Sequence, residues 1–155
     1  SLRIAGRELT FRNVEGTFPD HETVISKHRG DKSTAMNRQS LLAAATAVGK
    51  IVSKYPYPRT IRIDLEDLAA KFSGKGDDGP ASASVACDFE IDTGTETSIL
   101  VGGISPDYLA SALSSIKTEK VQFEFRDPES PYILEPVEGH EIREIHMIMP
   151  IRLDP

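Results

Sequence analysis

The sequence predicts an α+β fold in which two helices pack on one face of an antiparallel sheet. Apolar residues take helical spacing in only two places, at about 38–53 and from Ser105 onward. Elsewhere they alternate with polar neighbours at period two, the mark of a sheet with one buried and one wet face. The strand-like segments come in runs, four between the helices and three after the second. The strand-helix alternation of a parallel nucleotide-binding sheet is therefore missing.

The first stretch reads as two short strands. Leu9 and Phe11 alternate with polar residues, Val14-Glu15-Gly16-Thr17-Phe18-Pro19-Asp20 supplies turn residues, and Val24-Ile25 follow. A pair of strands is marginal alone, so the chain is expected to begin inside a domain. Lys27 to Thr34, polar and interrupted by Gly30, reads as a linker. The first helix is predicted from Arg38 to Ser53, with Asn37 as N-cap. Leu41, Leu42, Ala45, Val48 and Val52 form its buried stripe, and Gln39, Ala43, Thr46 and Lys50 its other face. The prolines of Tyr55-Pro56-Tyr57-Pro58 stop it.

Ile61, Ile63 and Leu65 predict one strand, and Leu68, Ala70 and Phe72 the next after a turn at Glu66-Asp67. Gly74 to Pro80 reads as a loop. Ala83, Val85, Cys87, Phe89 and Ile91 give the longest alternation, with Ser82, Ser84, Asp88 and Glu90 facing water. A loop at Asp92 to Glu96 leads to a strand marked by Ile99 and Val101. Ser105-Pro106-Asp107 then opens the second helix: a serine cap, a proline fitted to the first turn, and an aspartate at the positive end of the dipole. Leu109, Leu113 and Ile116 form its stripe, with Ser111, Ser114 and Lys117 off it. Val121–Phe125, Tyr132–Leu134 and Glu141–Ile151 are the closing strands.

Composition narrows the function classes. The 155 residues are 39% hydrophobic and 27% charged, as in an ordinary globular chain. No apolar run reaches the roughly 20 residues of a membrane helix, and Ser1-Leu2-Arg3-Ile4 has no signal-peptide core. The single cysteine, Cys87, excludes an internal disulfide and fits a reducing cytoplasm. A net charge of −6 argues against a protein that coats nucleic acid with its whole surface, though not against one small basic face.

A search for catalytic chemistry finds little. Gly102-Gly103 is followed by Ile104-Ser105-Pro106 and lacks the lysine of a phosphate loop. His140, Glu144 and His146 form a weak metal set without a third convergent ligand, and Asp77-Asp78 is a weak cation site beside its glycines. No cofactor and no resident metal are expected. Two features stand out. The helices carry a mildly basic outer face, with Lys50, Lys54, Lys117 and Lys120 as candidate DNA contacts. Met147-Ile148-Met149-Pro150-Ile151-Arg152-Leu153 is strongly apolar, and its adaptable methionines suit a groove that accepts varied peptides.

These residues also resemble a known family in order along nearly the whole chain. Gly16-Thr17-Phe18-Pro19-Asp20 with Val24-Ile25 is similar to the segment that ends the middle domain of bacterial DNA polymerase sliding clamps, the beta subunit of DNA polymerase III. Leu41-Leu42 matches the first helix of the clamp's third domain, and Ser105-Pro106-Asp107-Tyr108-Leu109 its second. Ser130-Pro131 matches a recurrent dipeptide, and Met147 to Leu153 resembles the clamp's closing Met-Pro-Met-Arg-Leu. His21 and Thr23 depart from the Tyr and Arg common there, and Asp154-Pro155 extend past the usual final Leu.

The resemblance implies a DNA-clamp fold, with residues 1–27 as the terminal strands of the middle domain and 28–155 as the C-terminal domain. It implies a non-catalytic processivity factor that helps encircle duplex DNA and closes as a homodimer ring when full-length. DNA polymerase, the clamp loader and repair proteins would bind through short peptides in a cleft. The matching cleft residues are Pro19, Thr23, Val24, Met147, Ile148, Met149, Pro150, Ile151, Arg152 and Leu153. Ile51 and Val52 match the subunit interface. DNA binding by this acidic stretch alone is expected to be weak and without sequence preference. Two other readings stay open: a stand-alone interaction module with the clamp fold, and a small metal-dependent hydrolase using Asp77, Asp78, His140 and His146.

Overall fold

The computed structural model describes residues 2–4, 6–10, 16–17, 20–52, 59–66, 68–89, 100–137 and 144–153. Strands β1 (Leu2–Ile4) and β2 (Arg7–Leu9) form a small antiparallel hairpin of their own. Helix α1 (His21–His28) is followed by β3 (Lys32–Asn37), α2 (Arg38–Ile51), β4 (Ile61–Glu66), β5 (Ala69–Gly76), β6 (Gly79–Phe89) and β7 (Leu100–Ile104). Then come α3 (Pro106–Ser115), β8 (Lys120–Phe125), β9 (Tyr132–Pro136) and β10 (His146–Ile148). The eight strands β3 to β10 make one antiparallel sheet in the order β10-β9-β8-β3-β6-β5-β4-β7. The fold is α+β, as the sequence predicts.

The long strand β6 joins the two halves of this sheet. Its residues 79–86 pair with β5, while 87–89 pair with β3. The edges then curl toward each other around the core. A side chain on Gly102 of β7 would collide with the Tyr132 hydroxyl of β9, so only glycine lets the two strands approach. The Ile151 amide donates to the Gly103 carbonyl at 2.9 Å, tying the segment after β10 to the free edge of β7.

Both predicted helices form where their caps lie. The Asn37 side chain accepts from the Ser40 amide at 3.0 Å, and Ser105 from the Tyr108 amide at 3.4 Å. Leu41, Ala45 and Val48 of α2 and Leu109 and Leu113 of α3 are buried together with Ile116. The helices run antiparallel. Gly49 near the end of α2 packs on Pro106 at the start of α3, and the Arg38 guanidinium donates to the carbonyls of Leu113 and Thr118.

Several expectations are corrected. Val24 and Ile25 lie on a helix, not a strand. Asp20 caps it, accepting from the Thr23 amide at 3.1 Å and hydroxyl at 2.6 Å, with Glu22 in its first turn and Lys27 and His28 in its last. The 27–34 linker is instead the end of α1 and half of β3, a central strand whose Thr34 and Met36 point inward. The 74–80 loop is a hairpin turning on Asp77-Asp78, with Gly79 at a positive φ of 124°. Leu68 lies at a turn, 77% exposed. In β7 the inward residues are Leu100, Gly102 and Ile104, the opposite face from Val101. The last strand is only 146–148 among the described residues; positions 141–143, like Phe11, Ile91 and Ile99, lie outside them.

The junction between α1 and the sheet is tightly held. The Arg29 guanidinium donates to both Glu135 carboxylate oxygens, at 2.9 and 2.5 Å, and to Glu124 Oε1 at 2.5 Å. The Arg29 carbonyl accepts from Arg126 at 2.6 Å. Gly30 lies so close to β8 that a Cβ there would sit 2.5 Å from the Phe125 carbonyl oxygen. Helix α1 itself buries no residue, so these contacts fix its exit from the sheet.

Candidate functional site

The C-terminal segment lines two surface cavities. Burial varies along it: Ile148 turns into the core, Met149 is 62% exposed, and Pro150 and Ile151 are half-buried. One cavity, of about 440 Å³, lies between α3 and β10. Its walls are Tyr108, Ser111 and Ala112 on one side and Ile145, His146, Met147, Ile148 and Met149 on the other. The second, of about 500 Å³, lies at the edge of β7. Arg62, Val101, Gly102, Gly103, Pro128 and Glu129 line it together with Ile151, Arg152 and Leu153.

Sequence reasoning reached the strand side of the first cavity and missed its helical wall. Tyr108 was the available signal: a large aromatic, 58% exposed, one residue off the buried stripe of α3. Arg152 reaches toward Glu129 at 3.4 Å with its side chain almost wholly in water. On the other half of the expected cleft, Thr23 and Val24 are exposed on α1. Neither lines the two cavities. Pro19 lies outside the described residues.

The candidate DNA lysines do not share one patch. Lys50 is exposed in the last turn of α2. Lys117 follows α3, its ammonium donating to the Ser114 carbonyl at 2.9 Å. Because the helices are antiparallel, these two stand at opposite ends of the pair. Lys120 heads β8 and pairs with Asp88 at 2.6 Å, bordering a polar cavity on the sheet's outer face. Lys54 lies outside the described residues. Ile51, 44% exposed, and half-buried Val52 end α2 beside the β5 glycines Gly76 and Gly74.

No group of three or more metal-ligating side chains occurs among the described residues. Asp77 and Asp78 turn the β5–β6 hairpin near the end of α2, whereas His146 meets the far end of α3 through Ser115. His140 lies outside the described residues. Burial pushes the Cys87 thiol up to about 11. The reactive thiolate is therefore scarce at ordinary pH. Cys87 should ignore a thiol reagent such as DTNB at pH 8 in the folded chain and react fully in urea. Rapid reaction without denaturant would contradict this. No helix among the described residues is long and apolar enough to cross a membrane.

Comparison with known proteins gives a consistent answer. The family profile for the DNA polymerase III beta subunit, C-terminal domain, matches residues 23–152. The beta sliding clamp of Pseudomonas putida is 30% identical over 154 residues, which is 98% of this chain and 39% of that protein. The sliding clamp of Pseudomonas aeruginosa, solved bound to griselimycin, superposes with a TM-score of 0.75 at 26% identity, covering 90% of this chain and 35% of that one. The beta subunit from Thermotoga maritima also gives 0.75, at 25% identity, with 91% and 36% covered. The chain thus spans well under half the length of these relatives. With its capped helices and continuous antiparallel sheet, it belongs to the DNA polymerase III beta subunit family, matching that family's C-terminal domain.

Proposed function

We propose that this chain is the C-terminal domain of a DNA polymerase processivity clamp, joined to the last elements of the domain before it. The boundary is taken near residue 27. In this reading the chain performs no catalysis. It contributes one segment of a ring around duplex DNA, and its C-terminal cleft captures short peptides of polymerase, clamp loader and repair proteins. The carrying observation is the open groove in which exposed Met149 and half-buried Met147 face Tyr108 across about 440 Å³. Flexible methionines beside an aromatic suit varied apolar side chains.

Two or three apolar anchors, each contributing about 1.5–3 kcal/mol when fully buried, must offset a large association cost. Affinity should therefore be modest. A fluorescein-labelled Gln-Leu-Ala-Leu-Phe peptide, titrated against the intact chain and against a variant lacking Met149 to Pro155, tests the reading by fluorescence anisotropy. Binding is expected to the first and to vanish in the second. The core should survive, since the last buried residue among the described ones is Ile148. Equal binding by both would move the partner site elsewhere.

A further inference from the structure

We propose that His146 is the polar reader of this groove, its Nδ1 accepting a hydrogen bond from an amide N–H of the bound peptide. The inference rests on the clamp reading and adds the chemistry that the groove selects. His146 lines the cavity beside Tyr108, Ser111, Met147 and Met149; the other side-chain acceptors of this lining are the hydroxyls of Tyr108 and Ser111, which can also donate.

The proton position follows from the neighbours. Nε2 lies 2.8 Å from Glu144 Oε1 and 3.0 Å from Ser115 Oγ. An ionised carboxylate only accepts. The Ser115 hydroxyl hydrogen is committed to the Ala112 carbonyl at 2.8 Å, so Ser115 also accepts from the ring. Nε2 therefore carries the hydrogen. In the neutral ring Nδ1 is left with a lone pair, and it meets no partner among the described residues. Glu144 from the strand side and Ser115 from α3 hold the Nε2 edge of a ring that lines the groove, so the opposite edge, with Nδ1, is the one left for an occupant.

A half-buried acceptor in an apolar groove is costly to cover without a donor. An occupant bringing an N–H is favoured over one that brings only hydrocarbon, and a carboxylate is rejected because it presents lone pairs to a lone pair. An extended peptide offers such a donor at each residue.

The two ring nitrogens have different side-chain mimics, which makes the roles separable. Asparagine places its amide near Nδ1, and glutamine near Nε2. With the labelled Gln-Leu-Ala-Leu-Phe peptide, H146N should keep affinity close to that of the unaltered chain, while H146Q loses roughly five- to tenfold. A structural role through Glu144 and Ser115 would give the reverse order and overturn the inference. Equal binding by both variants would also overturn it, while leaving the clamp reading intact. A second measurement needs no variant to fold: N-methylating the peptide amides one at a time should weaken binding to the unaltered chain at one position by a similar factor. No sensitive position would overturn the inference. Absence of any binding by the unaltered chain would overturn the clamp reading and this inference together.

Discussion

Phe123→Ala should lower the unfolding free energy by about 3–5 kcal/mol, the cost of emptying a buried aromatic site whose walls relax only partly. Phe123 sits in the middle of β8, the strand that receives β3 on one side and β9 on the other. It is fully buried, with its ring centroid 5.4 Å from Tyr132 and 6.2 Å from Phe125. Removing it takes the shared partner from both rings, and neither can follow without breaking strand register. Among the described residues the buried Tyr132 hydroxyl beneath Gly102 has no hydrogen-bond partner, so no polar contact there holds the ring in place when its neighbour is removed. Urea unfolding followed by circular dichroism reads the effect. A loss below about 1 kcal/mol would mean that the core collapses freely into the vacancy.

Arg29→Met should cost about 2–3 kcal/mol, mainly by removing the cation that Glu124 and Glu135 share. The Glu124 and Glu135 side chains are only 17% and 21% exposed, so water screens them incompletely. Among the described residues Glu124 Oε2 is buried without a partner. Changing Arg29, Glu124 and Glu135 together to apolar residues of similar size should recover most of the loss, because the desolvated charges go with the pair. Urea titration of the single and triple variants checks both statements, and equal losses would refute the second. The pairing, led by the Glu135 hydrogen bonds, raises the Arg29 pKa above its already high value. The stability it supplies is fully present below the unfolded arginine value and would be lost only as pH rose through the folded one. Alkaline conditions that proteins tolerate should therefore not remove it.

The two long helices were legible because their starts are written locally, Asn37 before one apolar stripe and Ser105-Pro106-Asp107 before another. Helix α1 was not. It has eight residues and buries none of them, so it carries no periodic stripe, and its only strong signal is Asp20 three residues before Thr23. Strand β3 was hidden for a related reason. Only Thr34 and Met36 mark its inward face, and Lys32 and Ser33 ahead of them read as loop. The Met147 and Met149 side of the groove could be read from the chain, since an apolar segment with a proline resists other uses. The helical wall was harder to read: Tyr108, off the buried stripe, was its one signal, and the rest of the outer face of α3 looks solvated until β10 is laid beside it. The separation of Lys50 from Lys117 depends on helix direction, which residue spacing does not encode.

The position of β3 has a consequence for how the chain folds. Its partners lie far along the sequence: Met36 meets Cys87 on one side and Val121 on the other. The β5–β6 hairpin, closed by two turn residues, needs almost no loop entropy to start. β3 can dock only after a long stretch has already been ordered into both of its neighbours. Such non-local pairing places folding on the millisecond-to-second side of the usual range. Until β3 arrives, the inner edges of β6 and β8 remain open to pairing with a second molecule.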